Sequence, residues 1–121
     1  MGLFKRNKAT SGVLLVSDRG IRQVRTSSFG MELVQEVARL LGSEHIRSTK
    51  LGEELTLWYA EDGPGQARSG PPNPVASRLA ADHGAAPVTG PAVVTGPLLY
   101  GSPYPLGAEE ITQVSGHLNG A

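Results

Sequence analysis

Near the start of the chain, a short polar turn lies between an apolar run and a run of mixed apolar and polar residues. Val13 to Val16 is compact and apolar, Ser17 to Gly20 is polar and ends in glycine, and Ile21 to Arg25 mixes β-branched with long polar residues. Runs of this kind around a glycine-containing turn are typical of a β-hairpin. Residues 13–25 are therefore predicted to form two antiparallel strands.

A helical periodicity follows this hairpin. Apolar residues recur at three- and four-residue spacing at Leu33, Val34, Val37, Leu40 and Leu41. This spacing predicts an amphipathic helix from about Phe29 to Leu41. The hydroxyls of Ser27 and Ser28 are expected to cap its first turn, and Gly42 stands where a left-handed residue often ends a helix.

Later segments predict short strands and a second helix. Residues 45–49 and 55–60 have strand-like composition, and residues 92–95 lie between Gly-Pro pairs that limit them to one brief buried strand. The Asn73-Pro74 pair is a strong helix start, because asparagine caps free amides and proline at the first position lacks a donor. That helix is expected to end near His83. A last helical turn is expected from about Ala108.

These elements predict a single α+β domain, in which a small mixed or antiparallel sheet of about four to five strands packs with two helices. Residues 1–12 are expected to be a flexible basic tail, residues 13–115 the domain, and residues 116–121 a frayed tail. Two long Gly- and Pro-containing segments, residues 63–73 and 97–107, are expected to be exposed loops. Edge strands in so small a sheet make a homodimer plausible.

Charge and cysteine content narrow the function classes. Eleven Lys and Arg balance eleven Asp and Glu, so the chain lacks the basic excess that duplex nucleic acid selects, and nucleic-acid binding is not expected. The chain has no cysteine, which excludes disulfides and thiolate chemistry and favours the cytoplasm. No apolar run approaches the length of a membrane span, so no membrane association is expected.

The residues that carry enzyme chemistry are scattered. The three histidines are far apart and have no carboxylate or imidazole partner three or four residues away, so no metal site is predicted. Ser77, Asp82 and His83 have the residue types of a hydrolase triad, but no strained serine turn accompanies them. The glycines of residues 84–96 alternate with prolines and precede no Gly-Lys-Ser/Thr, which excludes a P-loop. No catalytic residue and no cofactor are predicted.

Three segments carry a resemblance to a known pattern: Trp58 to Gly63, Pro71 to Ala80 and Val88 to Gly96. Together they contain N-P-x-A-[ST]-x-L at a helix start, followed by G-x-[AV]-[VL]-[VL]-x-G. The chain resembles a family of small actinobacterial and actinophage proteins with a domain of unknown function, over about residues 13–107. The resemblance implies a setting in phages or mobile elements of high-GC bacteria and assigns no catalytic residues. The residues from Tyr100 to Tyr104 are an addition to that pattern.

The leading hypothesis is a non-enzymatic accessory protein of a phage or mobile element that binds a host macromolecule, with a host protein as partner. Arg68, Tyr100 and Tyr104 in the two exposed segments are the candidate anchors, because aromatic and arginine side chains dominate interface energetics. The alternative is a small-ligand protein that binds a nucleotide or signalling molecule through Asn73 and Arg78 at a helix start. A third reading, nucleic-acid binding, would use Arg19, Arg22, Arg25 and the Lys5–Lys8 tail.

Overall fold

The computed structural model describes residues 11–17, 19–63, 66–67 and 70–120. The described elements are β1 (Gly12–Ser17), β2 (Gly20–Arg25), α1 (Gly30–Leu41), β3 (Ile46–Leu51), β4 (Leu55–Gly63), β5 (Gln66–Ala67), α2 (Pro74–Ala81), β6 (Ala92–Thr95), β7 (Leu98–Leu99), β8 (Ser102–Pro103) and α3 (Ala108–Gly120). The fold is α+β, as the sequence predicts.

The central sheet is antiparallel throughout, with the strand order β2-β1-β6-β4-β3. The predicted hairpin is confirmed: β1 pairs with β2 from Gly12 opposite Arg25 to Ser17 opposite Gly20. The brief strand β6 is central and all four of its residues are buried. A strand between two others loses ladder hydrogen bonds at proline, so the flanking Pro91 and Pro97 restrict β6 to this length.

One face of the sheet is covered by α1. The helix buries Leu33, Val37 and Leu41 against Val93 and Trp58 of the sheet. The predicted serine caps are wrong, because the N-cap residue is Phe29 and no side chain caps the first turn. The Ser28 hydroxyl instead donates to Glu36 Oε1 at 2.9 Å. The predicted end is confirmed: Gly42 is left-handed, with φ 66°, and its backbone N–H bonds back to the last turn.

The opposite face is covered by α2 and α3. Side chains alternate between the two faces along each strand, so the sheet also has apolar residues that point away from α1. These residues pack with Leu79 of α2 and Ile111 of α3; they are Leu14, Val16, Leu57 and Val94. The sequence predicts two helices and a last helical turn, and the described residues form three helices. The last turn expected from Ala108 is a thirteen-residue helix, and its backbone remains helical through Gly120, beyond the domain end expected at residue 115.

The two segments expected to be loops contain short strands. In the first, Gln66–Ala67 pairs with β4, and Pro72 forms an isolated bridge with Thr89. In the second, β7 and β8 pair with each other as a separate two-stranded hairpin, with Leu98 opposite Pro103. Exposed segments rich in glycine and proline can still pair locally when turn residues position them. The second hairpin positions the surface described next.

Candidate protein-docking surface

The β7–β8 hairpin is fastened to the domain at its base. The N–H of Gly96 donates to the carbonyl of Tyr104 at 2.8 Å, and Leu106 and Gly12 exchange two backbone hydrogen bonds of 2.7 and 3.0 Å. A Cβ on Gly96 would lie 2.9 Å from the carbonyl oxygens of Tyr104 and Pro105. Only glycine allows this close approach. The hairpin therefore starts from a fixed base on the sheet.

The tip of the hairpin has an unusual backbone for its sequence. Tyr100 and Gly101 form the two-residue connection, with φ 55° and 81°. Two central residues with positive φ are the mark of a type I′ turn, which favours Asn-Gly. Among the described non-glycine residues, only Tyr100 has positive φ. Its side chain is fully exposed, so burial does not offset the backbone strain.

A stacked aromatic pair joins this hairpin to the start of α1. The rings of Phe29 and Tyr104 have centroids 5.7 Å apart and planes 4° from parallel. Ring pairs at this separation prefer offset stacking and stabilise by about 0.5–1.5 kcal/mol beyond their burial. Leu98 also holds the hairpin against the domain, because it packs against the core cluster beneath α1. Two segments distant in sequence thus form one surface.

We name this the aromatic surface and define it by the large apolar side chains that the two segments expose: Phe29, Met31, Leu99, Tyr100 and Tyr104. Their exposed fractions are 60%, 70%, 49%, 107% and 37%. In the described part of the chain, no other large hydrophobic side chain is exposed. Clustered exposure of this kind marks interaction sites, whereas isolated exposed apolar residues are ordinary.

The sequence identified only part of this surface. Tyr100 and Tyr104 are both exposed, while Arg68 lies outside the described residues. Phe29, Met31 and Leu99 were not predicted as site residues. The sequence does show a large apolar residue, Phe29, immediately before Gly30 at the start of the helix, where a polar cap is usual. The structure shows that Gly30 has a φ of 64°. The contact with Tyr104 has no signature in the local sequence.

Asn73, predicted as a possible ligand-binding residue, has a structural role. Its Nδ2 group donates to the carbonyls of Val16 at 3.0 Å and Gly90 at 2.9 Å. Its Oδ1 atom accepts from the N–H of Ala76 at 3.1 Å, which confirms the predicted cap. The residue is only 2% exposed. Both amide protons are used and the side chain is enclosed, so Asn73 has no donor left for a ligand.

The predicted pairing of Arg78 with the helix start is also not supported by the geometry. Arg78 lies in the last turn of the eight-residue α2 and is exposed. The anion-binding hypothesis needs a cation beside the unpaired amides of the first turn. Asn73 and Arg78 therefore do not converge on one site. A cleft of about 530 Å³ at the start of α3 is lined by Glu54, Glu109 and Glu110, which does not suit an anion.

The remaining candidates lie apart from one another. Trp58 is 6% exposed and its Nε1 donates to Thr95 Oγ1 at 2.9 Å, so it belongs to the core. His83 Nδ1 lies 3.1 Å from the carbonyl of Leu79 at the end of α2, the helix-end position that the sequence predicts. Within the ranges that the structure covers, no three His, Cys, Asp or Glu residues are grouped to hold a metal ion.

The described helices are too short or too polar to cross a membrane. Comparison with protein-family models, curated proteins and solved structures finds no match for this chain. The assignment of a function therefore depends on the geometry of the surface itself.

Proposed function

We propose that this protein is a non-enzymatic binding protein that docks a host protein through the aromatic surface. The observation that carries the proposal is Tyr100. Its left-handed backbone opposes folding by about 1–2 kcal/mol, and its ring buries nothing in return. A strained, exposed aromatic residue at a fixed hairpin tip is explained by contact with a partner rather than by stability.

The rest of the surface fits the same use. Tyrosine, phenylalanine and methionine are enriched at protein interfaces, where they provide large contact areas. Tyr104 is held by its stack on Phe29, so less side-chain freedom is lost when a partner binds. Tyr100 and Tyr104 thus act as the anchors, and Met31 and Leu99 extend the apolar contact.

We further propose the setting that the sequence resemblance implies, a phage or mobile element acting in the cytoplasm of a high-GC bacterium. The support is the N-P-x-A-[ST]-x-L helix start at Asn73 together with the segment from Gly90 to Gly96. Both stretches belong to the scaffold of the fold. The host protein would then contact the added hairpin rather than this scaffold.

The test compares wild-type protein with a Tyr100→Asn/Met31→Gln double variant as immobilised bait in a lysate of a high-GC actinobacterium. Both residues are exposed, so the fold is expected to be retained. A protein captured by the wild type is purified and its affinity measured directly. The double variant should bind it at least roughly tenfold more weakly. Arg78→Ser, an exposed change on α2, is the matched control and should bind normally.

Two results would overturn the proposal. Equal affinity of the double variant and the wild type for every captured protein would exclude the aromatic surface as the docking site. Turnover of a substrate by the purified wild type in a metabolite screen would show that the protein is an enzyme. Circular dichroism of both variants confirms that any loss of binding is not a loss of fold.

A further inference from the structure

The strand β2 forms one outer edge of the sheet. It pairs with β1 on one side only, along an unbroken six-residue register. An edge strand presents a row of backbone groups to which another chain can add a strand. The edge is adjacent to the aromatic surface in sequence, because Phe29 follows Arg25 by four positions, which span at most about 14 Å.

The register shows which backbone groups of β2 face outward. The N–H of Thr26 donates to the carbonyl of Ser11 at 3.2 Å, so this pair is hydrogen-bonded across the ladder. Hydrogen-bonded and non-hydrogen-bonded pairs alternate between antiparallel strands. Arg22 and Val24 therefore bond to β1, whereas Ile21, Gln23 and Arg25 direct their N–H and C=O groups away from it. No hydrogen bond to these outward groups comes from the described residues.

The side chains along this edge are positively charged. Arg22 and Arg25 of β2 and Arg19 of the preceding turn are exposed, and β2 contains no carboxylate. None of the three arginines forms an ion pair with a described carboxylate. Arg25 lines a cleft together with Glu36 and Arg39 of α1. The carboxylate of Glu36 already accepts the Ser28 hydroxyl, and Arg39 adds a further positive charge.

The other edge of the sheet differs from this one. In β3, Arg47 lies 3.4 Å from the carboxylate of Glu61 on the adjacent β4, so its charge is compensated within the protein. Lys50 is then the one cation of β3 without an ion pair to a described carboxylate, whereas β2 has two such arginines, so β2 is the more positive edge. Two copies of β2 paired edge to edge would bring together four arginines and no carboxylate, and like charges across a strand pair are destabilising. Such repulsion disfavours a second copy of this chain as the occupant.

We propose that β2 binds an extended acidic segment of another protein as an additional strand of the sheet. The outward groups of Ile21, Gln23 and Arg25 supply the main-chain hydrogen bonds. Arg22 and Arg25 are three positions apart on the strand, so their side chains lie on opposite faces of the sheet and pair with carboxylates on both faces of the added segment. This surface is distinct from the aromatic surface, so the two proposals succeed or fail separately.

The test uses an acetylated and amidated octapeptide in which pairs of glutamates alternate with pairs of valines, so that both faces of the added strand carry carboxylates. Amide-proton exchange is followed by NMR. At saturation, the amides of Ile21, Gln23 and Arg25 should exchange at least roughly tenfold more slowly, because they become hydrogen-bonded. The amides of Arg22 and Val24 already bond to β1 and serve as internal controls. Their exchange should change much less.

Variants and altered probes separate strand addition from charge attraction. Arg22→Glu/Arg25→Glu should weaken peptide binding at least roughly tenfold, whereas the charge-matched control Lys50→Glu/Arg78→Glu, at exposed positions of β3 and α2, should not. A peptide with the same side chains but N-methylated at every residue should not protect the three amides, because neither of its edges can donate hydrogen bonds and the methyl groups prevent close approach to β2. The Tyr100→Asn/Met31→Gln variant should bind the peptide normally.

Three results would overturn this proposal. One is the absence of binding by the glutamate-valine peptide at low salt. The second is equal binding of the N-methylated peptide, which would show charge attraction alone. The third is tighter binding of a DNA duplex than of the peptide, lost in Arg22→Glu/Arg25→Glu, which would assign the edge to nucleic acid.

Discussion

Thr56 and Thr95 are cross-strand partners on β4 and β6, both fully buried, and only one of their hydroxyls is hydrogen-bonded. Thr95 Oγ1 accepts from Trp58 Nε1 at 2.9 Å and donates to the carbonyl of Gly96 at 3.1 Å. Thr56 Oγ1 has no hydrogen-bond partner among the residues that the structure describes. Directly opposite residues point to the same face of a sheet, so the hydrogen-bonded hydroxyl of Thr95 and the unpaired hydroxyl of Thr56 lie in the same local environment.

The same substitution at these two positions should have opposite effects. Thr56→Val removes a buried hydroxyl without a partner and should raise the free energy of unfolding by about 1 kcal/mol. Thr95→Val leaves the indole N–H of Trp58 without an acceptor and should lower it by about 1–3 kcal/mol. Urea denaturation of both variants measures the difference. A lower stability of Thr56→Val than of the wild type would contradict the assignment of its hydroxyl as unpaired.

Tyr100→Asn should stabilise the protein. Asparagine followed by glycine is the preferred pair for a turn with two positive φ values, and the exposed tyrosine ring contributes no burial. We expect the free energy of unfolding to rise by about 0.5–1 kcal/mol. Thermal denaturation followed by circular dichroism measures this change. Tyr100→Phe is the control, since it keeps the strain and the ring and should leave the stability unchanged.

Asn73 should tolerate aspartate poorly, although aspartate caps helices as well as asparagine does. An aspartate would place an oxygen against the carbonyls of Val16 and Gly90, which the Nδ2 group now bridges, and would bury a charge. Asn73→Asp is expected to lower the free energy of unfolding by about 3 kcal/mol or more. An unchanged denaturation midpoint would show that Asn73 is a helix cap and nothing more.

Two glycines in helical segments should respond to alanine in opposite ways. Gly42 ends α1 in the left-handed region, so Gly42→Ala should lower the free energy of unfolding by about 1 kcal/mol. Gly116 lies within α3 and is exposed, and outside its own helix no described atom lies within 4 Å of a new Cβ, so Gly116→Ala should raise the free energy of unfolding by about 0.5–1 kcal/mol. Each variant is the control for the other in denaturation experiments. A stabilising Gly42→Ala would contradict the left-handed cap.

The features that follow from local chemistry could be predicted from the sequence. The hairpin around Ser17 to Gly20, the Asn73-Pro74 helix start and the Gly42 helix end all depend on residues within a few positions of one another. Features that depend on tertiary contacts could not. Ser28 donates to Glu36 instead of capping α1, and Asn73 uses its amide to join two other segments. The second role is invisible until the chain is folded.

The candidate site shows the same division. The exposure of Tyr100 follows from its place between Leu99 and Gly101 in a glycine- and proline-rich stretch. The contribution of Phe29 depends on a contact between the start of α1 and the β7–β8 hairpin, and no periodicity in the sequence indicates that contact. Interface residues drawn from separate segments are therefore the part of a site that pattern reasoning most readily misses.

The close approach at Gly96 has a consequence for how such a protein can diversify. Because the carbonyl of Tyr104 and the bonds between Leu106 and Gly12 secure the base of the hairpin, the tip residues 99–102 can be exchanged or lengthened without disturbing β1 or β6. Related chains could carry different tips on an unchanged platform, and swapping the tip alone would redirect the protein to a new target.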